Sequence, residues 1–173
     1  MKLQRKKPPH PHDYLPEAPA LSVTSEDFED GQVLDLRHAH GSAGGANVSP
    51  QLSWTAGPTG TESYSISCFD PDAPTGSGWW HWLVVDIPAN VHSVPAGGPL
   101  PAGAVELRND FGEEGYGGSA PPQGDYPHRY IFTVTALGIM PLGLSALTPL
   151  AMAGMNITTH TLARGQIIGL YSH

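Results

Sequence analysis

Apolar and polar positions alternate in short runs along most of this chain, and clusters of Gly, Pro and Asn separate the runs. Such alternation, rich in β-branched and aromatic residues, predicts strands over 21–24, 33–38, 51–54, 63–70, 81–87, 105–109, 129–137 and 166–171. Two or three of these runs are continuously apolar, as in strands covered on both faces. Many short strands joined by long loops predict a mainly β fold, a two-sheet antiparallel sandwich. Helix is expected only near the C-terminus. Asn156 can cap a helix that continues through 158–164 toward Gly165, and a second short piece is expected within 146–155. Residues 1–20 are Pro-rich and read as a flexible leader, with 21–173 as a single domain. The leader carries His10 and His12, but a metal site needs three or four convergent ligands.

A chain of 173 residues is long enough to bury a proper core. Its charged fraction of 14%, with 21 Gly and 18 Pro, favours strands and structured loops over a helical bundle. The net charge of −8 is unevenly placed. Lys2, Arg5, Lys6 and Lys7 sit at the very start, read as a solvated tail, which leaves Arg37, Arg108, Arg129 and Arg164 against all 16 carboxylates. That body repels nucleic acid and anionic membrane surfaces, so no nucleic-acid partner and no stable membrane insertion are expected. Cys68 is the one cysteine and alternates with Ile66, as a buried, inert thiol would. No apolar stretch approaches the ~20 residues of a membrane span, and no secretion-signal core stands at the start. The expected location is the cytoplasm.

Two segments hold the chemistry. One runs Asp70-Pro71-Asp72-Ala73-Pro74 and on to Trp79-Trp80-His81-Trp82; the other runs Gly117-Gly118-Ser119-Ala120-Pro121-Pro122-Gln123-Gly124 and on to His128-Arg129-Tyr130. Prolines fix walls, glycines admit backbone N–H groups close to a ligand, and His and Asp supply charge and hydrogen bonds. If the backbone is extended, Asp70 and Asp72 share a face, and so do His128 and Tyr130. The alternative for the aspartates is a turn in which they cap backbone groups. Arg129 faces away from His128 and Tyr130 and is expected to pair with Asp72 or Asp110. No Lys lies near these motifs, and nothing resembles a P-loop or a dinucleotide fingerprint. Such a site is equipped to bind a phosphomonoester-like group and poorly equipped to cleave it.

Both segments resemble the signature regions of the phosphatidylethanolamine-binding protein family, also called the Raf kinase inhibitor-like family. The resemblance rests on the Asp-Pro-Asp-Ala-Pro run, the His at the start of the following strand and the Pro-Pro-x-Gly…His-Arg-Tyr run. Ser49-Pro50-Gln51-Leu52-Ser53-Trp54 and Asn109-Asp110-Phe111-Gly112 are similar to the bacterial and archaeal branch. The resemblance implies one small anion cavity lined by Asp70, His81, His128 and Tyr130, with Pro74, Trp79 and Pro121 as walls and Asp72 beside them. In that cavity His81 and His128 donate to phosphoryl oxygens, while Asp70 orients an imidazole and raises its pKa. It also implies a cis bond at Ala73–Pro74, and a mouth left more open, or covered by a partner subunit, where mammalian and plant members carry a further C-terminal helix. Ala120 departs from the Gly that many members carry before the two prolines.

The function expected is a non-enzymatic binding module without a cofactor, modulating a partner protein; a kinase or protease follows from the resemblance alone. The alternative is a metal-dependent hydrolase using His81, His128 and Asp70. An acid–base enzyme using Asp70 and Asp72 is disfavoured, because two carboxylates on one wall cannot flank a bond. Trp79, Trp80 and Trp82 cannot all enter one core, which makes a homodimer through an aromatic rim the expected assembly.

Overall fold

The computed structural model describes residues 5–173. Eight strands and one α-helix follow in the order β1 (Val23–Thr24), β2 (Leu52–Trp54), β3 (Ser63–Asp70), β4 (Trp79–Pro88), β5 (Ser93–Val94), β6 (Val105–Glu106), β7 (His128–Leu137), α1 (Leu150–His160) and β8 (Thr161–Tyr171). They form a small sheet β1-β2-β5 and a large one β6-β4-β3-β7-β8, with antiparallel neighbours throughout. The fold is the expected mainly β, two-sheet arrangement.

The core lies between the sheets. Alternate residues of β3 (Tyr64, Ile66, Cys68), β4 (Trp82, Val84) and β7 (Tyr130, Phe132, Val134) meet Leu52 and Trp54 of the small sheet. A second cluster, with Leu83, Val85, Leu137 and Ala153 at its centre, fills the outer face beneath α1. Cover on both faces explains why β4 and β7 read as continuous apolar runs. Cys68 is buried as expected, and burial followed by the neighbouring Asp70 charge pushes its thiol pKa well up.

Three local expectations are corrected, and one strand, β5, lies outside those expected. Asn156 does not cap a helix through 158–164; only 158–160 of that stretch are helical. One helix ends at His160 and passes straight into β8, while Asn156 lies inside it and donates back to the Met152 carbonyl at 2.9 Å. β8 pairs with β7 from Thr161 to Tyr171 and buries Ala163, Gly165 and Ile167, so sheet pairing overrides local helix propensity. Within 33–38 only Val33 bridges a strand; Leu36–His38 is a 3-10 turn because the Asp35 carboxylate accepts from the Arg37 amide. β5 is two residues long, too short to leave a period. The leader packs over residues 5–20: Pro11–Tyr14 forms a 3-10 turn, Arg129 donates to the Pro8 carbonyl, and Ala20 bridges Arg164. Residues 1–4 of that leader lie outside the described residues.

Candidate functional site

The site forms at one end of the large sheet's inner face, where β3, β4 and β7 meet. On β3, Asp70 continues the inward series of Tyr64, Ile66 and Cys68; on β7, His128 and Tyr130 begin the inward series. On β4 a bulge decides the outcome. Cys68 pairs with Trp82 and Phe69 with Trp80, so His81 is one residue too many for its partner strand. A bulge inverts the facing pattern beyond it. Trp79 and His81 therefore line the inner pocket, while Trp80 faces the other side of the sheet.

The pocket encloses about 210 Å³. Seven of the eight expected residues line it: Asp70, Pro74, Trp79, His81, Pro121, His128 and Tyr130. The eighth, Asp72, does not. Its buried carboxylate is held by Arg129 from Nε at 2.8 Å, from Nη2 at 2.9 Å and from the backbone amide at 2.9 Å. Burial disfavours the Asp72 anion, but these Arg129 contacts outweigh it and lower the pKa. Arg129 is thus structural, and Asp72 rather than Asp110 is its partner; Asp110 accepts from the Trp80 amide instead.

Asp70 fills both roles expected of it. Oδ1 accepts from the Asp72 amide at 2.7 Å, a turn cap, and Oδ2 accepts from His128 Nδ1 at 2.7 Å. The other nitrogen of His128 meets Asp125 Oδ2 at 3.1 Å. Burial pulls the His128 pKa down, but hydrogen bonds and charge from Asp70 and Asp125 overcome it and the pKa is raised. This corrects the expected role. The ring carries charge, yet both N–H groups point at carboxylates and neither is free for a ligand.

Asp125 is the residue that sequence reasoning missed, and Arg5 accompanies it. Arg5 Nη2 donates to Asp125 Oδ2 at 2.8 Å and to the Asp72 carbonyl, lies 3.3 Å from His128 Nε2, and stacks over Tyr126 at 4.9 Å. Burial disfavours the Asp125 anion, but hydrogen bonds from His128 and Arg5 leave its pKa lowered. Asp70, His128, Asp125 and Arg5 alternate in charge and sum to zero.

His81 is different. Its Nδ1–H donates to the Gly117 carbonyl at 2.7 Å, and burial lowers its pKa against the opposing pull of Asp70 and that carbonyl. The ring is neutral and Nε2 is its accepting edge. Tyr130 Oη and Trp79 Nε1 are buried without a hydrogen-bond partner. The Ala120 amide lies near enough to Tyr130 to favour its anion slightly, but forms no hydrogen bond of regular geometry, and burial keeps the phenol pKa well up. Phe111 completes the wall and packs edge-on to Trp79 at 5.2 Å and His81 at 5.6 Å.

The second motif is held by close backbone approach. Ser119 bridges Ala39, and a Cβ on Gly118 would lie 2.3 Å from the Ala39 carbonyl carbon. Ala120 is not among the residues of positive φ, so its methyl is tolerated. Ala73–Pro74 is not cis, contrary to what the resemblance implied; among the described residues the cis bonds are Gly98–Pro99 and Met140–Pro141. Nor do His81, His128 and Asp70 make a metal centre: no group of three or more His, Cys, Asp or Glu among the described residues is placed to hold an ion. Both Asp70 oxygens and both His128 nitrogens are committed to the hydrogen bonds above, and the hydrolase alternative has no support. No helix among the described residues is long and apolar enough to cross a membrane.

Comparisons with known proteins agree with this fold. The chain is 44% identical over 159 residues to the UPF0098 protein YbhB of Escherichia coli, covering 88% of this chain and 100% of that one. It is 42% identical over 163 residues to YbcL of the same organism, covering 90% and 89%. The crystal structure of E. coli YbcL, described as a member of the mammalian PEBP family, superposes with a TM-score of 0.85 over 88% of this chain and 98% of that one, at 41% identity. The phosphatidylethanolamine-binding protein profile matches residues 24–172. On the fold, the two motifs and these matches together, the chain belongs to the phosphatidylethanolamine-binding protein family.

Proposed function

We propose that this chain is a non-enzymatic binding protein whose pocket holds a small anion, phosphate or a phosphorylated head group. The observation that carries this reading is the Tyr130 hydroxyl, buried at the cavity wall with no acceptor. A buried donor without a partner costs about 1–3 kcal/mol, and a ligand oxygen recovers it. Trp79 Nε1 offers a second such donor, and neutral His81 offers an acceptor for a P–OH group. A volume near 210 Å³ suits a phosphomonoester and falls short of a drug-sized ligand.

Binding without cleavage follows from where the cations are. Phosphoryl transfer needs positive charge on the transferring oxygens. Arg129 is bonded to Asp72, Arg5 to Asp125, and the His128 charge is spent on two carboxylates. Modulation of a partner kinase or protease belongs to the same reading and rests on the family resemblance alone. A homodimer at the pocket mouth belongs to this reading too, supported by partly buried Trp79 and Trp80 beside fully buried Trp82. Sedimentation at micromolar concentration tests the dimer: twice the 18.3 kDa chain mass is expected, and a single species at that mass overturns it. Calorimetric titration with phosphate and phosphoethanolamine tests the pocket; saturable binding of either supports the reading, and no binding of both rejects it.

A further inference from the structure

The outer face of the large sheet holds a second, larger cavity, separate from the anion pocket. At its centre β3 and β7 set Ser65 opposite Thr135 and Ser67 opposite Thr133. Neighbouring positions on this face are apolar, as a helix-covered sheet requires: Leu83, Val85 and Leu137 pack under α1. Four small hydroxyl side chains in the middle of that surface leave a space of about 540 Å³ between the sheet, α1 and the turn at Pro11–Tyr14. Protein interiors hold few voids larger than a water molecule, and this volume falls in the range of small-molecule sites. Phe69, Leu83, Ile131 and Ile157 give it apolar walls.

One charge stands at this cavity without a counterion. Arg164 of β8 lines it and donates from Nη2 to the Pro16 carbonyl at 3.0 Å, and no carboxylate pairs with it among the described residues. Burial alone lowers its pKa. His12, the other basic group on the wall, meets Thr133 Oγ1 at 3.3 Å. Burial, then the Arg164 and His10 charges, drive its pKa to about 4 against the opposing pull of Asp13, so it is neutral at pH 7.

We propose that this cavity binds an amphiphilic carboxylate, with the carboxyl group held by Arg164 and an apolar chain lying over the hydroxyl floor between Phe69, Leu83 and Ile131. The sign of the one uncompensated charge selects an anion over a cationic amphiphile, and the apolar walls select a chain over a small inorganic anion. This inference stands independently of the anion pocket.

Calorimetric titration of the full chain with decanoate, decanol and decyltrimethylammonium, each below its micellar concentration, tests it. Decanoate is expected to bind about tenfold more tightly than decanol, the scale of one hydrogen bond to a charged group. Decyltrimethylammonium is expected not to bind. Arg164→Gln should remove the preference for decanoate over decanol. Ser67→Leu, which fills the floor, should abolish binding of both while leaving phosphate affinity unchanged. Absence of decanoate binding, equal affinity for all three probes, or wild-type decanoate affinity in Ser67→Leu overturns the proposal. NMR of the wild-type protein reads the same site without a variant: decanoate should shift the amides of Ser65, Ser67, Thr133 and Ile157, and shifts confined to the Asp70 and Pro74 region would contradict the assignment.

Discussion

His128 Nδ1 donates to Asp70 Oδ2 at 2.7 Å, a bond that joins the two motifs across 58 residues of sequence. With Asp125 on the opposite nitrogen, the imidazole is clamped between two carboxylates. Because its pKa is raised, its contribution to stability is fully present below the ordinary imidazole value of 6.5 and is lost as pH rises through the raised value. Asp125→Asn removes one of the two partners. NMR titration of the His128 ring should show the pKa falling in that variant, and the alkaline loss of thermal stability should begin at lower pH. An unmoved pKa would remove Asp125 from the charge chain.

His81 gives the opposite dependence. Its pKa is lowered, so its contribution is present above 6.5 and is lost as pH falls through the lowered value. Asp72 and Asp125, also lowered, add to the acid loss as they protonate. Stability should therefore peak between the His81 and His128 transitions. Thermal denaturation across pH checks this, and a monotonic curve through that window would contradict it.

The Asp72–Arg129 pair fixes the loop that carries Pro74. Asp72 is fully buried and the Arg129 side chain is 15% exposed, so removing Asp72 strands a largely covered cation. Asp72→Ala should destabilise the fold by about 3–5 kcal/mol in chemical denaturation, the usual cost of breaking a buried pair. Asp70→Asn, which keeps the turn cap, should cost less. Equal losses would mean that the two aspartates play the same role.

Anion binding should follow the protonation state of the ligand. The donors facing the cavity are neutral and His81 Nε2 accepts, which favours a phosphate bearing one proton. Affinity for a phosphomonoester should fall as pH rises through its second ionisation near ~6. Phosphoethanolamine titrations on both sides of that value check it; affinity that rises with pH would point to a cationic donor instead.

The fold and most of the pocket were legible because alternation reports facing directly. Asp70, His128 and Tyr130 fall on one face by counting in twos, and β3 follows its apolar run from end to end. What local pattern could not reveal is whatever depends on long-range pairing. The bulge at His81 exists only against β3, and it alone turns Trp79 inward and Trp80 outward. Asp125 sits three positions before His128 with nothing periodic to mark it, and Arg5 reaches the site across 120 residues. The segment 161–164 carries helix-compatible residues, but only pairing with β7 could make it a strand.

The most direct test of the pocket is calorimetric titration of phosphate into wild-type protein and Tyr130→Phe. The substitution removes one buried, unpartnered hydroxyl and nothing else from the wall. Affinity should weaken by roughly 0.5–1.5 kcal/mol, the range for a single neutral hydrogen bond, while thermal stability without ligand stays the same or rises. Phosphate affinity unchanged in Tyr130→Phe would contradict the central claim that neutral buried donors hold the anion.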